Sequence, residues 1–200
     1  MWLVLGAIAS VVSIISVMWI VPGTFIRKPR VRLECYKQGL NGKSVLGCAI
    51  INDPIYFGPL AHLGIKRSGF DEVWCFMSVG QIGKGQPIID RCLAALHDNK
   101  GGHHQSAPLP ASPFGLTFPV AVMEHDLGFV YDSANVGYVL EPDTYACALL
   151  VHADEIHVRT YANEFVVGVD EDHFQWAGEW RMLSRSLIGR LADRLSVSHA

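Results

Sequence analysis

The sequence predicts a mainly β fold: an antiparallel sandwich tied to a membrane by one N-terminal helix and closed by a C-terminal amphipathic helix. Three observations carry this reading. Residues 2–21 are apolar and uncharged. From Val31 onward the chain breaks into short β-branched, aromatic and aliphatic runs punctuated by Gly, Pro, Asn and Asp. Beyond Glu171, large apolar residues recur at spacings of three and four.

The anchor comes first. WLVLGAIASVVSIISVMWIV holds no charge and no proline, and about 20 helical residues at 1.5 Å each match a hydrocarbon layer of about 30 Å. Trp2 and Trp19 lie near its two ends, where an indole sits well in the interface, and Pro22 and Gly23 stop the helix. A cleaved signal would need a basic start and small residues at the cut. Here no Lys or Arg precedes the run, and the run ends in Met18-Trp19-Ile20-Val21. Residues 1–23 therefore read as an uncleaved single-pass anchor, followed by a basic juxtamembrane linker over 24–30. Arg27, Lys28, Arg30 and Arg32 all follow the span, which puts the C-terminal domain on the cytoplasmic side. Five cysteines (35, 48, 75, 92 and 147) without paired spacing, and no Asn-X-Ser/Thr sequon, are compatible with that side.

The sandwich is expected over residues 31–170. Candidate strands are Val31 to Tyr36, Val45 to Ile51, Leu63 to Arg67, Glu72 to Val79, Pro87 to Cys92, Gly115 to Met123, Leu127 to Tyr131, Thr144 to His152 and Ile156 to Val169. Val31-Arg32-Leu33-Glu34-Cys35-Tyr36 alternates as a half-buried strand requires, whereas Val45 to Ile51 is apolar nearly throughout, as a central strand would be. Gln38 to Lys43, with two glycines and an asparagine, predicts the first turn, and Asn52-Asp53-Pro54 closes the second strand. His97 to Pro113 is rich in Gly, Pro and Ser and reads as a long exposed loop.

Residues 171–200 are expected to form the amphipathic helix and a tail. Phe174, Ala177, Trp180, Leu183, Leu187, Leu191 and Leu195 fall on one helical face, with Arg181 and Arg190 flanking it and Arg185 opposite. Trp180, Arg181, Arg185 and Arg190 are thus candidates for contact with an anionic membrane surface or a partner.

In Glu141-Pro142-Asp143-Thr144-Tyr145-Ala146-Cys147, a Tyr follows a turn and stands two residues before a Cys. This segment resembles the strand entry of immunoglobulin-like sandwiches, in which such a Tyr bonds back to upstream backbone. The resemblance implies that Cys48 lies on an early inner strand and that Trp74 is the core tryptophan. It is one of fold and carries no function.

Chemistry-bearing constellations are few. His152-Ala-Asp-Glu-Ile-His157 suits a hairpin turn better than a metal pair, since zinc-binding helices space two His at i and i+4. His103-His104 sits in the expected loop. Gly80-Gln-Ile-Gly83-Lys84-Gly85 lacks phosphate-loop spacing and reads as a hairpin tip. There is no Gly-X-Ser-X-Gly elbow, and no thiol stands beside an evident activating group. No cofactor is implied. A formal charge of −3, with basic residues gathered only after the anchor and near the C-terminus, argues against nucleic acid as a partner.

The resulting expectation is a membrane-anchored binding or scaffold module, with the lipid bilayer and a protein as its partners. The rival is an enzyme whose site assembles from His62, His125, His152 and Asp154. With the opposite orientation, the chain would be an exported sensor or adhesin domain.

Overall fold

The computed structural model describes residues 29–40, 42–54, 67–98, 102–153 and 157–183, together with Ser13. The strands are β1 (Val31–Leu40), β2 (Lys43–Asn52), β3 (Phe70–Gln81), β4 (Pro87–Leu93), β5 (Leu96–His97), β6 (His103–His104) and β7 (Ala107–Leu109). They continue with β8 (Leu116–Glu124), β9 (Leu127–Tyr131), β10 (Gly137–Leu140), β11 (Asp143–Ala153), β12 (His157–Val167), β13 (Gln175–Trp176) and β14 (Arg181–Leu183). They form a β-sandwich of two antiparallel sheets. The first runs β1-β2-β8-β5-β6, with β9 on β8 and β10 on β9. The second runs β13-β12-β11-β3-β4, with β14 on β12 and β7 on β3.

Alternation decides which side chains meet between the sheets. In β11, Tyr145, Cys147, Leu149, Val151 and Ala153 are buried while their neighbours are half-buried. In β3, Val73, Cys75, Met77 and Val79 face the same core. From the opposite sheet, Leu46, Cys48 and Ile50 of β2 and Phe118 and Val120 of β8 complete it. As the apolar run predicts, β2 is central, lying between β1 and β8. Turn chemistry sets the register. Gly42 takes φ 75° where Leu40 pairs with Lys43, and His125 and Asp126 take φ 50° and 61° in the two-residue turn from β8 to β9. Gly47 faces Tyr36 across the first hairpin, and a Cβ there would fall inside the Tyr36 ring. Its bareness lets that ring cross β2, so that the Tyr36 hydroxyl donates to the Phe118 carbonyl at 3.4 Å.

Several expectations are corrected. Residues 171–183 do not form a helix: β13 and β14 both pair with β12, and Phe174 is fully buried in the core. His97 to Pro113 is not a plain exposed loop. It contributes β6 and β7, and Ala107 and Leu109 of β7 are buried against β3. Trp74 faces outward, edge-on to His152 at 5.3 Å between ring centroids, and the inward neighbour is Cys75. All five thiols are free. Among the described residues no helix is long and apolar enough to cross a membrane. The expected anchor (Trp2, Trp19, Arg27 and Lys28) and most of the expected strand from Leu63 to Arg67 lie outside the described residues. So do His62, Asp154, Arg185 and Arg190.

One lateral opening of the sandwich is closed by polar bonds. The Trp176 indole donates to the Tyr36 carbonyl at 3.2 Å, the Tyr161 hydroxyl donates to the Val31 carbonyl at 3.4 Å, and the Ser44 hydroxyl donates to the Glu171 carboxylate at 2.6 Å. These tie β1 and β2 of the first sheet to β12, β13 and the connection between them in the second.

Candidate functional site

The outer face of the second sheet is where the chain departs from ordinary patterning. A half-solvated antiparallel sheet normally turns polar residues to water. Here the outward side chains of central strand β11 are Thr144, Ala146, Ala148, Leu150 and His152. Cross-strand register arranges this face in rows. Ala148 lies between Ser78 and Ala162, Leu150 between Phe76 and Thr160, and His152 between Trp74 and Val158. Side-chain bulk on this face increases from the small row toward Phe76 and Trp74.

Beside the small row lies a groove of about 470 Å³, within the range of small-ligand sites. Ala146 and Ala162 floor it. The β3–β4 turn, with Ile82, Gly83 and Lys84, makes one wall, and the segment from Ala177 to Arg181 between β13 and β14 makes the other. Gly83 at φ 88° makes the tight turn that lifts Lys84 to the rim. Lys84 stands 4.0 Å from Glu141, an exposed pair of little energetic weight. Glu164, Glu179 and Arg181 make no salt bridge among the described residues. The groove therefore combines an apolar floor with charges of both signs.

Asn163 holds the second wall in place. It is buried on the inner face of β12, between Tyr161 and Phe165. Its amide nitrogen donates to the Gly178 carbonyl at 3.0 Å and to the Cys35 sulfur at 3.1 Å, and its oxygen accepts from the Glu164 amide at 2.8 Å. Burial pushes the Cys35 thiol up to about 11, so it stays protonated at neutral pH and donates weakly to the Gly178 carbonyl at 3.6 Å. The Ala177 amide adds a bond to the Glu164 carbonyl at 2.8 Å. The segment leaves the β12 ladder yet remains fixed, with Trp180 packed edge-on against Trp176 at 5.2 Å.

Of the residues singled out from sequence, Arg181 lines the groove, while half-buried Trp180 packs inward behind its wall. Arg30 is exposed just before β1, and its backbone amide donates to the Asn52 side chain. Of the rival catalytic set, the two described members lie on different sheets: His125 is a turn residue of the first and His152 lies on the outer face of the second, while His62 and Asp154 fall outside the described residues. Lys84 sits on a hairpin tip, and the structure gives it a groove to face. Sequence reading missed Asn163. Its signal was present, since a polar residue at an inward position of an alternating strand demands buried partners. Comparison with family models, with curated proteins and with solved structures finds no match for this chain.

Proposed function

We propose that this chain is a non-catalytic binding module held at a membrane surface, and that it recognises its partner through the groove between the β3–β4 turn and the Ala177 to Arg181 segment. The groove is the observation that carries this reading: a concavity with a hydrogen-bonded wall, an apolar floor and, in Glu164, Glu179 and Arg181, charges of both signs that make no salt bridge among the described residues. The occupant it suits has a slender apolar body that lies on Ala146 and Ala162, with polar groups of either sign at its ends.

An immunoglobulin-like arrangement of the sandwich is part of the proposal. It is supported by the strand order β1-β2-β8 facing β4-β3-β11-β12, and by Tyr145 near the start of β11, whose hydroxyl donates to the Glu141 carbonyl at 2.8 Å. Attachment through residues 1–23, with the sandwich in the cytoplasm, is supported by the uncharged run and its basic flank.

The test is photo-crosslinking in intact cells from a benzophenone amino acid placed at Ala162, with the exposed edge position Val139 as control. A discrete adduct in the membrane fraction from Ala162 alone is expected. No adduct, or equal adducts from both positions, would remove the groove as the recognition site. A chain lacking residues 1–23 should leave the membrane fraction, and its retention there would remove the anchor.

A further inference from the structure

We propose that His97 and His103 form a two-imidazole site for a divalent transition-metal cation of the Cu2+, Ni2+ and Zn2+ class. The two residues are direct cross-strand partners in the β5–β6 hairpin, and their ring centroids lie 4.1 Å apart with a tilt of 55°. Cross-strand partners project to one face, so both rings address the same volume. Neither ring makes a hydrogen bond to another described residue, and their nitrogens are thus open to a ligand that imidazole favours.

The frame beneath them is fixed. Leu96 is fully buried and His97 pairs with Thr117 of β8, which ties the hairpin to the first sheet. Asp98 pins the turn: its carboxylate accepts from the Gly102 amide at 2.8 Å and contacts the His104 ring at 3.3 Å, while its own amide donates to the Gly102 carbonyl at 3.1 Å. His104 pairs with Leu96 and so points to the face opposite His97 and His103.

Two ring nitrogens at about 2.1 Å from a tetrahedral ion place the ring centroids about 5 Å apart. The rings would therefore open by about 1 Å, a change that side-chain rotation supplies. No group of three or more His, Cys, Asp or Glu able to hold a metal occurs among the described residues, so water would fill the remaining positions. The site is exchangeable rather than structural. It is independent of the groove, which lies on the other sheet.

The experiment is calorimetric titration of the purified full chain with NiCl2 and with ZnCl2 at pH 7.5. The wild type should show one saturable site. His97→Asn and His103→Asn should each weaken it at least about tenfold, since removing even an outer-shell partner of a metal ligand costs about 10–100-fold. His104→Asn should bind as the wild type does. His103 is exposed, so its variant keeps the fold, which the melting curve checks. Three outcomes would overturn the site: no saturable binding by the wild type at millimolar metal, wild-type binding by a folded His103→Asn, or an equal loss in His104→Asn.

Discussion

Replacing Tyr145 with Phe isolates one hydrogen bond at the turn into β11. The ring is 1% exposed and stacks on Phe165 at 5.4 Å with 19° between planes, and the substitution keeps both properties. Only the hydroxyl is lost, with its 2.8 Å bond to the Glu141 carbonyl. Burial, reinforced by the carboxylates of Asp143 and Glu141, holds the phenol proton on, so at neutral pH the group is a donor. Such a bond contributes about 0.5–1.5 kcal/mol net, and stranding a buried acceptor adds about 1–3 kcal/mol. Glu141 is exposed, so water can replace the lost donor, which puts the expected loss near 1 kcal/mol. For a domain of about 150 residues that lowers Tm by about 2–4 °C. Urea unfolding of the purified full chain, followed by tryptophan fluorescence, measures it. Tyr145→Ala, which also removes the buried ring, should cost about 3–5 kcal/mol, as other aromatic truncations do. No change for Tyr145→Phe would show that the corner bond is not made, and a loss above about 3 kcal/mol would refute the hydration argument.

Three further predictions follow from neighbouring features. Asn163→Ala removes the donor to the Gly178 carbonyl and should cost about 1–3 kcal/mol while raising hydrogen exchange selectively over residues 177–181; uniform exchange across the second sheet would contradict the pinning role. Gly47→Ala must displace the Tyr36 ring, a steric conflict on the scale of the about 1–3 kcal/mol that overpacking costs, and Gly47→Ala with Tyr36→Ala should recover part of the loss in a double-mutant cycle. Stability should fall as pH drops through 6.5: His97 has a lowered pKa when folded, so below its ordinary value the unfolded chain binds more protons. His173 carries the opposite shift from its bond to Asp170, with stability present below pH 6.5 and lost above it, but it is fully exposed. Melting curves at pH 5.5 and 7.5 for the wild type and His97→Asn separate the two, and an unchanged pH slope in the variant would refute the assignment.

Strand alternation made most of the sandwich legible. The expected strand from Thr144 to His152 matches β11 to within a residue at each end, and Leu127 to Tyr131 coincides with β9. The C-terminal misreading has a definite cause. Phe174, Trp176 and Trp180 pack against the core at even spacings, which an extended strand and a helical face can share, whereas Ala177, counted on the helical face, is exposed. β7 was hidden by Pro108, which is tolerated because it is exposed between buried Ala107 and Leu109 in a short strand on the outer side of β3. The groove itself depends on which strands become neighbours. Ala146 and Ala162 are sixteen positions apart and meet Lys84 and Arg181 only through sheet order, which no local pattern encodes.

Ala162→Trp is the most direct test that the groove is the recognition surface. An indole there fills the floor from the solvent side without entering the core, so the fold should persist with Tm within about 2 °C of wild type, as for an ordinary surface change. Affinity purification of the full chain from solubilised membranes should then recover the wild-type partner with Val139→Trp and lose it with Ala162→Trp. Equal recovery with both variants would contradict the account.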